Sequence, residues 1–399
     1  HDFVTVNSFE APATTIASIQ RGVNAASNGY TVNVAAGTYT DNVVVDQEVS
    51  ILGAGQAMTF VQPLTSNPNC GGGGGGSLCA GGSNVMLVQA DNVSIQQLTI
   101  DGNNPAISSG VTAGGSDIDA RNGIITNHNL GIYNNLLVNN VTVKNIFLRG
   151  VYASTGGTFT FTNNTVDNVQ ADPGSIAMFN FGGSGSFTGN TVSNANDAIA
   201  SNHSKGTTYT GNTITNCASG IHSDNNGSSG GTADLISGNT VMNGAANSYG
   251  IFTFAPYLNI IVEDNTLTDL NVALASAGSY TPGVTTTFRR NVIDAMNRPA
   301  STGMYATTNI WGFTPGNNKV VFSNNYIQNT TDDAFYLETD ATYTLDITAN
   351  NNSITNANGV SISGAGTLVE NLQCNWWGSA AAGAVATAAA SSTNYTPWL

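Results

Sequence analysis

Apolar and polar residues alternate over short stretches from about residue 135 onward, and the alternation returns to one phrase at near-regular intervals. The phrase is Asn164-Thr165-Val166, Asn190-Thr191-Val192, Asn212-Thr213-Ile214, Asn239-Thr240-Val241, Asn265-Thr266-Leu267, Asn291-Val292-Ile293, Asn325-Tyr326-Ile327 and Asn352-Ser353-Ile354, with Asn spacings of 26, 22, 27, 26, 26, 34 and 27. Three residues before each of the first seven Asn stands an apolar residue: Phe161, Phe187, Tyr209, Ile236, Val262, Phe288 and Phe322. Period-two alternation marks a strand, and a repeat of this length predicts one such strand per stacked coil. The eighth copy lacks the apolar residue, which leaves the start of its coil open.

A second strand is expected in the same coils near Val151, Ile176, Ile199, Ile221, Ile251, Ala273, Met304, Phe335 and Val360. Two or three short strands per coil, stacked in register, bury one continuous core and leave Asn at the turns. An Asn recurring once per coil can hydrogen-bond to the copies on either side and satisfy turn backbone, so the Asn ladder is expected to be structural. Upstream, Thr15 to Asn28 has Ile16, Ile19 and Val23 on one helical face and ends at Ser27-Asn28-Gly29. That stretch predicts a short amphipathic helix.

The run from Ile19 through Val34, with Gly37-Thr38-Tyr39 and Ile51-Leu52-Gly53, resembles the N-terminal cap and first coils of bacterial pectate-lyase-like right-handed parallel β-helix proteins. Asn375-Trp376-Trp377-Gly378 and the closing Pro397-Trp398-Leu399 are similar to the end of the same superfamily. The resemblance implies an all-β solenoid, read as one domain over 1–399 with an N-terminal cap over 1–30, coils over 31–378 and an Ala-rich C-terminal cap over 379–399; the Ala-rich stretch between Gly378 and Ser391 has helical propensity, and Asn394 to Leu399 is expected to return as a strand. The superfamily contains lyases, hydrolases, epimerases, adhesins and surface proteins, so the resemblance implies a fold and leaves the activity open. The Pro-Trp-Leu ending also resembles the junction of such a region with later domains, and the first residue is His1, not Met. A processed or trimmed piece of a longer bacterial surface protein is therefore expected.

Composition narrows the partners. Only 8% of residues are charged, and nine Lys plus Arg against 24 Asp plus Glu give a net charge of -15. Such a charge repels phosphate backbones and anionic lipid, so no nucleic-acid partner is expected. No apolar run of about 18 residues exists to span a membrane. Cys70 and Cys79 flank the glycines Gly71 to Gly76, a loop that lets the thiols meet, and a disulfide is expected there. Cys217 and Cys374 lie several coils apart and are expected to be free thiols stacked in the core.

The outward positions of the second strand are unusually aromatic. They pair as Tyr152/Ser154, Ala177/Phe179, Ala200/Asn202, His222/Asp224, Phe252/Phe254, Leu274/Ser276, Tyr305/Thr307 and Tyr336/Glu338. Rings repeated at coil spacing can stack on sugar rings, so Tyr152, Phe179, Phe252, Phe254, Tyr305 and Tyr336, with Glu338, are the candidate carbohydrate-binding residues. The alternative is that loops cover this face and the rings are satellite core. The best polar cluster is His203, Lys205, His222 and Asp224, where a His-Asp pair could orient an imidazole as a base and Lys205 could balance substrate charge. A solvated loop with chance neighbours would look the same. Arg289 and Arg290, the only Arg pair, face Glu263 and Asp264 of the preceding coil and are expected to form a charge ladder.

No zinc spacing, phosphate loop or nucleophile elbow is present, and no cofactor is expected. Calcium could bind at acidic turns such as Asp101-Gly102-Asn103 or Asp117-Ile118-Asp119. The expectation is an extracellular or cell-surface structural or adhesive module that binds polysaccharide along the aromatic face. A polysaccharide lyase or glycoside hydrolase is the main alternative. An ice-binding protein is weaker, because Asp167, Met242 and Asp294 interrupt the Thr213/Thr215 and Thr266/Thr268 array.

Overall fold

The structure is a computed structural model that describes residues 3–6, 17–70, 76–225, 231–278, 281, 283–310 and 315–399. The chain divides into two compact units, His1–Ala200 and Ser201–Leu399. Each unit is built of coils with three parallel strands, one in each of three sheets. In the first unit a representative coil runs Thr158–Thr162, Thr165–Val169, Ile176–Phe181, and in the second Leu235–Ser237, Thr240–Met242, Tyr249–Thr253.

The repeated phrase codes for two strands and the turn between them, where one strand was expected. The residue before each ladder Asn bends the chain from the first sheet to the second by adopting a left-handed φ: 54° at Asn163, 66° at Gly238 and 57° at Asn324. Gly and Asn tolerate this conformation best, and they hold most of these positions. Arg290 and Cys374 occupy it too. Cys374 is therefore at a half-exposed turn and not in the core as expected, whereas Cys217 is buried; neither is in a disulfide.

The ladder explains the apolar residue three positions upstream. Asn239 Nδ2 donates to Asn265 Oδ1 at 2.9 Å and to the carbonyl of Tyr209 in the coil before it at 2.9 Å. Asn239 Oδ1 accepts the backbone N–H of Asn212 at 3.0 Å. The same set recurs at Asn265, Asn291, Asn325 and Asn352. The inward apolar side chain fills the core while its carbonyl feeds the ladder. The eighth coil keeps this position with Ala349, which pairs with Phe322 and is buried. A further rung, Asn375, accepts from Asn352. Leu372, three residues ahead of it, is the signal that marks this coil.

Inward positions are Tyr209, Ile236, Val262, Phe288 and Phe322 on the first sheet of the second unit, and Ile221, Ile251, Leu274, Met304 and Phe335 on the third. Burying each such side chain is worth about 1.5–3 kcal/mol. Two of the anticipated inward positions are shifted: Met178, not Ile176, pairs with Val151, and Leu274, not Ala273, pairs with Ile251.

The first helix is Ile19–Ala25, shorter than expected; Thr15 and Ile16 lie outside the described residues. It closes an open strand edge. Gln20 Oε1 accepts the N–H of Val44 at 2.6 Å and its Nε2 donates to the Val44 carbonyl at 3.1 Å, which pairs backbone that would otherwise be an exposed sheet edge. At the other end Ala382–Ala389 is helical. Residues 394–399 hydrogen-bond to Leu372, Cys374 and Asn375 without forming the expected strand.

Candidate functional site

The third sheet carries the anticipated aromatic column, and its register revises which residues belong to it. In the first unit Ile125, Tyr152 and Phe179 are neighbours, so Phe179 pairs with Phe181 two positions on, not with Ala177. Tyr152 and Phe179 stack at 4.6 Å, but each is only 4% exposed. The expectation that these two rings stand open is corrected: Ile125, Ile176 and Ala200 surround them, with Leu78 and Leu87 packed on top.

Leu78 belongs to the loop closed by the Cys70–Cys79 disulfide, whose Cα atoms are 6.1 Å apart. Buried Arg121 anchors this loop by donating to the carbonyls of Pro68, Gly76 and Ser77 at 2.8–3.2 Å. Arg149 lies 5.1 Å above the Phe179 ring and donates to Ser77 Oγ. Burial pushes the pKa of both guanidinium groups down, though they remain cations at neutral pH.

In the second unit the column runs His222, Phe252, Ala275, Tyr305, Tyr336 and Ser361. Ala275 replaces the anticipated Leu274, and Ser276, one residue on, turns inward and is buried. The small Ala275 separates two stacked pairs, His222 on Phe252 at 4.2 Å and Tyr305 on Tyr336 at 5.1 Å. Phe254 meets the edge of His222 at 5.8 Å. Phe252, Phe254, Tyr336 and Glu338 are half-buried and Tyr305 is 9% exposed, so Tyr305 backs Tyr336 more than it faces solvent. Its hydroxyl donates to Glu338, which also accepts from Thr307 at 2.8 Å. Burial first, and the Glu338 hydrogen bond second, push the Tyr305 hydroxyl above its usual range.

The anticipated polar cluster comes together only in part. The His203 backbone N–H donates to Asp224, while the His203 ring is exposed and Lys205 is half-buried. His222 Nε2 is buried without a hydrogen-bond partner, and burial lowers its pKa to about 4. No hydrogen bond joins His222 to Asp224 among the described residues, so the imidazole acts as a neutral ring in the stack. The cluster gains a member that sequence reasoning missed. Asp234, 1% exposed, accepts from Ser204 Oγ at 2.9 Å, the Thr207 N–H at 2.8 Å and Ser223 Oγ at 2.7 Å. Burial raises both Asp224 and Asp234 to about 7, and for Asp234 the nearby Asp224 adds to it. The signal was available: Asp234 precedes Leu235 and so shares the inward face with Ile236.

Other acids hold structure. Asp117 accepts from Ser108 and Ser109, and Asp119 from Ser66 Oγ at 2.6 Å and the Asn104 N–H at 3.0 Å. Asp101 pairs with Lys144 at 3.0 Å. Among the described residues no three His, Cys, Asp or Glu gather into a metal site. Arg289 and Arg290 are held by Glu263 and Asp264 at 2.6–2.8 Å, the charge ladder the repeat predicts.

Residues 149–309 match the family model described as right handed beta helix region. No curated protein matches the sequence. Among solved structures, the mannuronan C-5 epimerase AlgE6 A-module of Azotobacter vinelandii is 16% identical, with 88% of this chain and 94% of that chain covered at a TM-score of 0.55. A family 28 exopolygalacturonase of Yersinia enterocolitica is 12% identical over 93% and 78% of the two chains, TM-score 0.56. PfbA, a surface adhesin of Streptococcus pneumoniae, is 13% identical over 90% of each, TM-score 0.54. At these identities the likeness is one of fold, shared by enzymes and an adhesin. Residues 149–309 thus match the right-handed β-helix region, and the fold is that of a right-handed parallel β-helix.

Proposed function

We propose that this chain is an extracellular or cell-surface module that binds polysaccharide along the outward column of the third sheet in its second unit. The observation that carries the reading is the pair of ring stacks, His222 on Phe252 and Tyr305 on Tyr336, with the Glu338 carboxylate held beside them. Ring faces offer apolar and CH–π contact to sugar rings, and a fixed carboxylate accepts hydroxyl hydrogen bonds. The neighbours in fold include proteins whose names place them on polysaccharides and at a cell surface, which supports the same class of ligand.

A second reading, hydrolysis of a glycoside, is favoured by Asp224 and Asp234, two nearby acids raised to about 7. A general acid needs such a value. Both carboxylates, however, are buried and accept from Ser204, Ser223 and the backbone of His203 and Thr207, which makes them part of a coil corner.

Retention on a panel of insoluble and soluble polysaccharides, for the parent and for Phe252→Ala/Phe254→Ala/Tyr336→Ala, separates the two. Binding is expected to at least one polymer without release of reducing ends, and the triple variant is expected to lose it while remaining folded. Cleavage of a polymer that disappears in Asp224→Asn would replace the binding reading with the hydrolytic one.

A further inference from the structure

We propose that the first unit holds a separate pocket for a neutral, hydroxyl-rich saccharide unit, floored by Lys144 and Asp167 on the outward face of the second sheet and walled by the hairpin Thr112–Ala113/Ser116–Asp117. The cavity measures about 360 Å³ and is lined by Gly114, Ser116, Lys144, Asn145, Asp167, Asn168, Gln170 and Asn194. It shares no residue with the ring column of the second unit and does not depend on it.

Its floor follows from strand register. Asp101, Lys144 and Asp167 occupy one outward column on successive strands, a ladder that by itself would only be structural. What turns the ladder into a pocket is the adjoining turn. Asn145, Asn168 and Asn194 all take a left-handed φ, 59°, 54° and 54°, and so repeat a carboxamide at the end of each strand. Asn168 Nδ2 donates to Asn145 Oδ1 at 2.8 Å and to the carbonyl of Ala113 at 2.9 Å, tying the turn to the hairpin. Gln170 Nε2 donates to Asn168 Oδ1 at 2.9 Å.

The wall is held in place from two sides. Asp117 accepts from Ser108 and from Ser109 Oγ, and Val111, Ala113 and Ala171 pack on the buried Ile118, Phe147 and Leu148. Gly114 sits so close to Asn168 that a Cβ there would lie 2.3 Å from its Oδ1, and its φ of 55° adds a second reason for glycine.

The lining chemistry selects the ligand class. Carboxamides offer donor and acceptor together, which matches hydroxyl groups that are also both. Asp167 uses Oδ1 for Ser193 and Asn194, both at 2.6 Å, and no described contact uses Oδ2. Lys144 directs one N–H to Asp101 and has two more. One ammonium between two carboxylates leaves the floor with a net negative charge, which disfavours anions such as uronates or phosphate. A pocket without an aromatic wall binds through hydrogen bonds and therefore weakly, one unit at a time.

Saturation-transfer NMR on the full chain with glucose, galactose and mannose tests this, with glucuronate and glucosamine as charged arms. At least one neutral hexose is expected to bind, and Asp167→Asn and Lys144→Met are each expected to weaken it about tenfold or more. Asp167→Asn keeps an Oδ1 acceptor for Ser193 and Asn194, and thermal melts confirm that both variants fold. Gln170→Ala, at the rim, should weaken binding by a smaller factor. The same measurements in a Phe252→Ala/Tyr336→Ala background remove any hexose held by the ring column, so that the binding that remains reads this pocket alone and failure of the pocket and failure of the column are seen apart. The proposal is overturned if no neutral hexose binds the parent, if binding survives both floor substitutions, or if a charged sugar binds more tightly than the neutral ones.

Discussion

Two buried side chains of the second unit show how single residues set stability here. Asn239 makes ladder bonds to Asn265, Tyr209 and Asn212 at once, so Asn239→Ala leaves several buried groups unpaired. A loss of about 2–4 kcal/mol is expected in chemical denaturation, with polysaccharide retention intact. Asp234 acts through its proton. Its folded pKa of about 7 stands above its ordinary value of 3.8, so the native state keeps a proton that the unfolded chain has released. Stability from this group therefore falls as pH rises from about 4 to 7, and the full penalty applies above that window. Asp224, raised in the same way, adds to the fall, and Tyr209 also faces the pair. His222 works in the opposite direction: its folded pKa of about 4 lies below 6.5, so stability is lost as pH drops between those values. Asp234→Asn is expected to raise the melting temperature at pH 8 more than at pH 5. An equal shift at both would mean that Asp234 is charged in the folded protein.

The disulfide loop is the element that decides whether the rings of the first unit are surface or core. Closing a loop of this length contributes about 2–3 kcal/mol by chain entropy. Cys70→Ser/Cys79→Ser should cost about that much and should admit protease between the two positions, because the loop then rests on non-covalent contacts such as those of Arg121, Asn122, Arg149 and Leu78. Thiol alkylation of the folded parent should label Cys374 first and Cys217 only on unfolding, with Cys70 and Cys79 protected until reduction.

The ladder and the inward apolar positions were legible in sequence because each coil repeats the same physical demand: one apolar side chain and one Asn a fixed distance apart. Loops carry no such repetition, so nothing in the sequence showed that Tyr152 and Phe179 lie beneath one. The column register slipped at Leu274 and Met178 for a related reason. Runs such as Val272-Ala273-Leu274-Ala275 are apolar at every position, and alternation cannot say which side faces in. Asp234 was not legible as a site residue because it stands in an inward column, where alternation predicts an apolar side chain.

For the molecule as a whole, a net charge of -15 sets what the ring column can hold. Retention of a neutral polysaccharide is expected to change little between low and high salt, since stacking and hydrogen bonding are not screened. A polyanion should bind poorly at low salt, where repulsion reaches farthest. The most direct test of the account is a titration of the retained oligosaccharide into the parent and into single-ring variants of the second unit. Phe252→Ala and Tyr336→Ala are each expected to lose roughly 0.5–1.5 kcal/mol of affinity, the scale of one aromatic contact, while the buried Phe179→Ala keeps parental affinity once its folding is confirmed. Parental affinity in both Phe252→Ala and Tyr336→Ala would contradict the account.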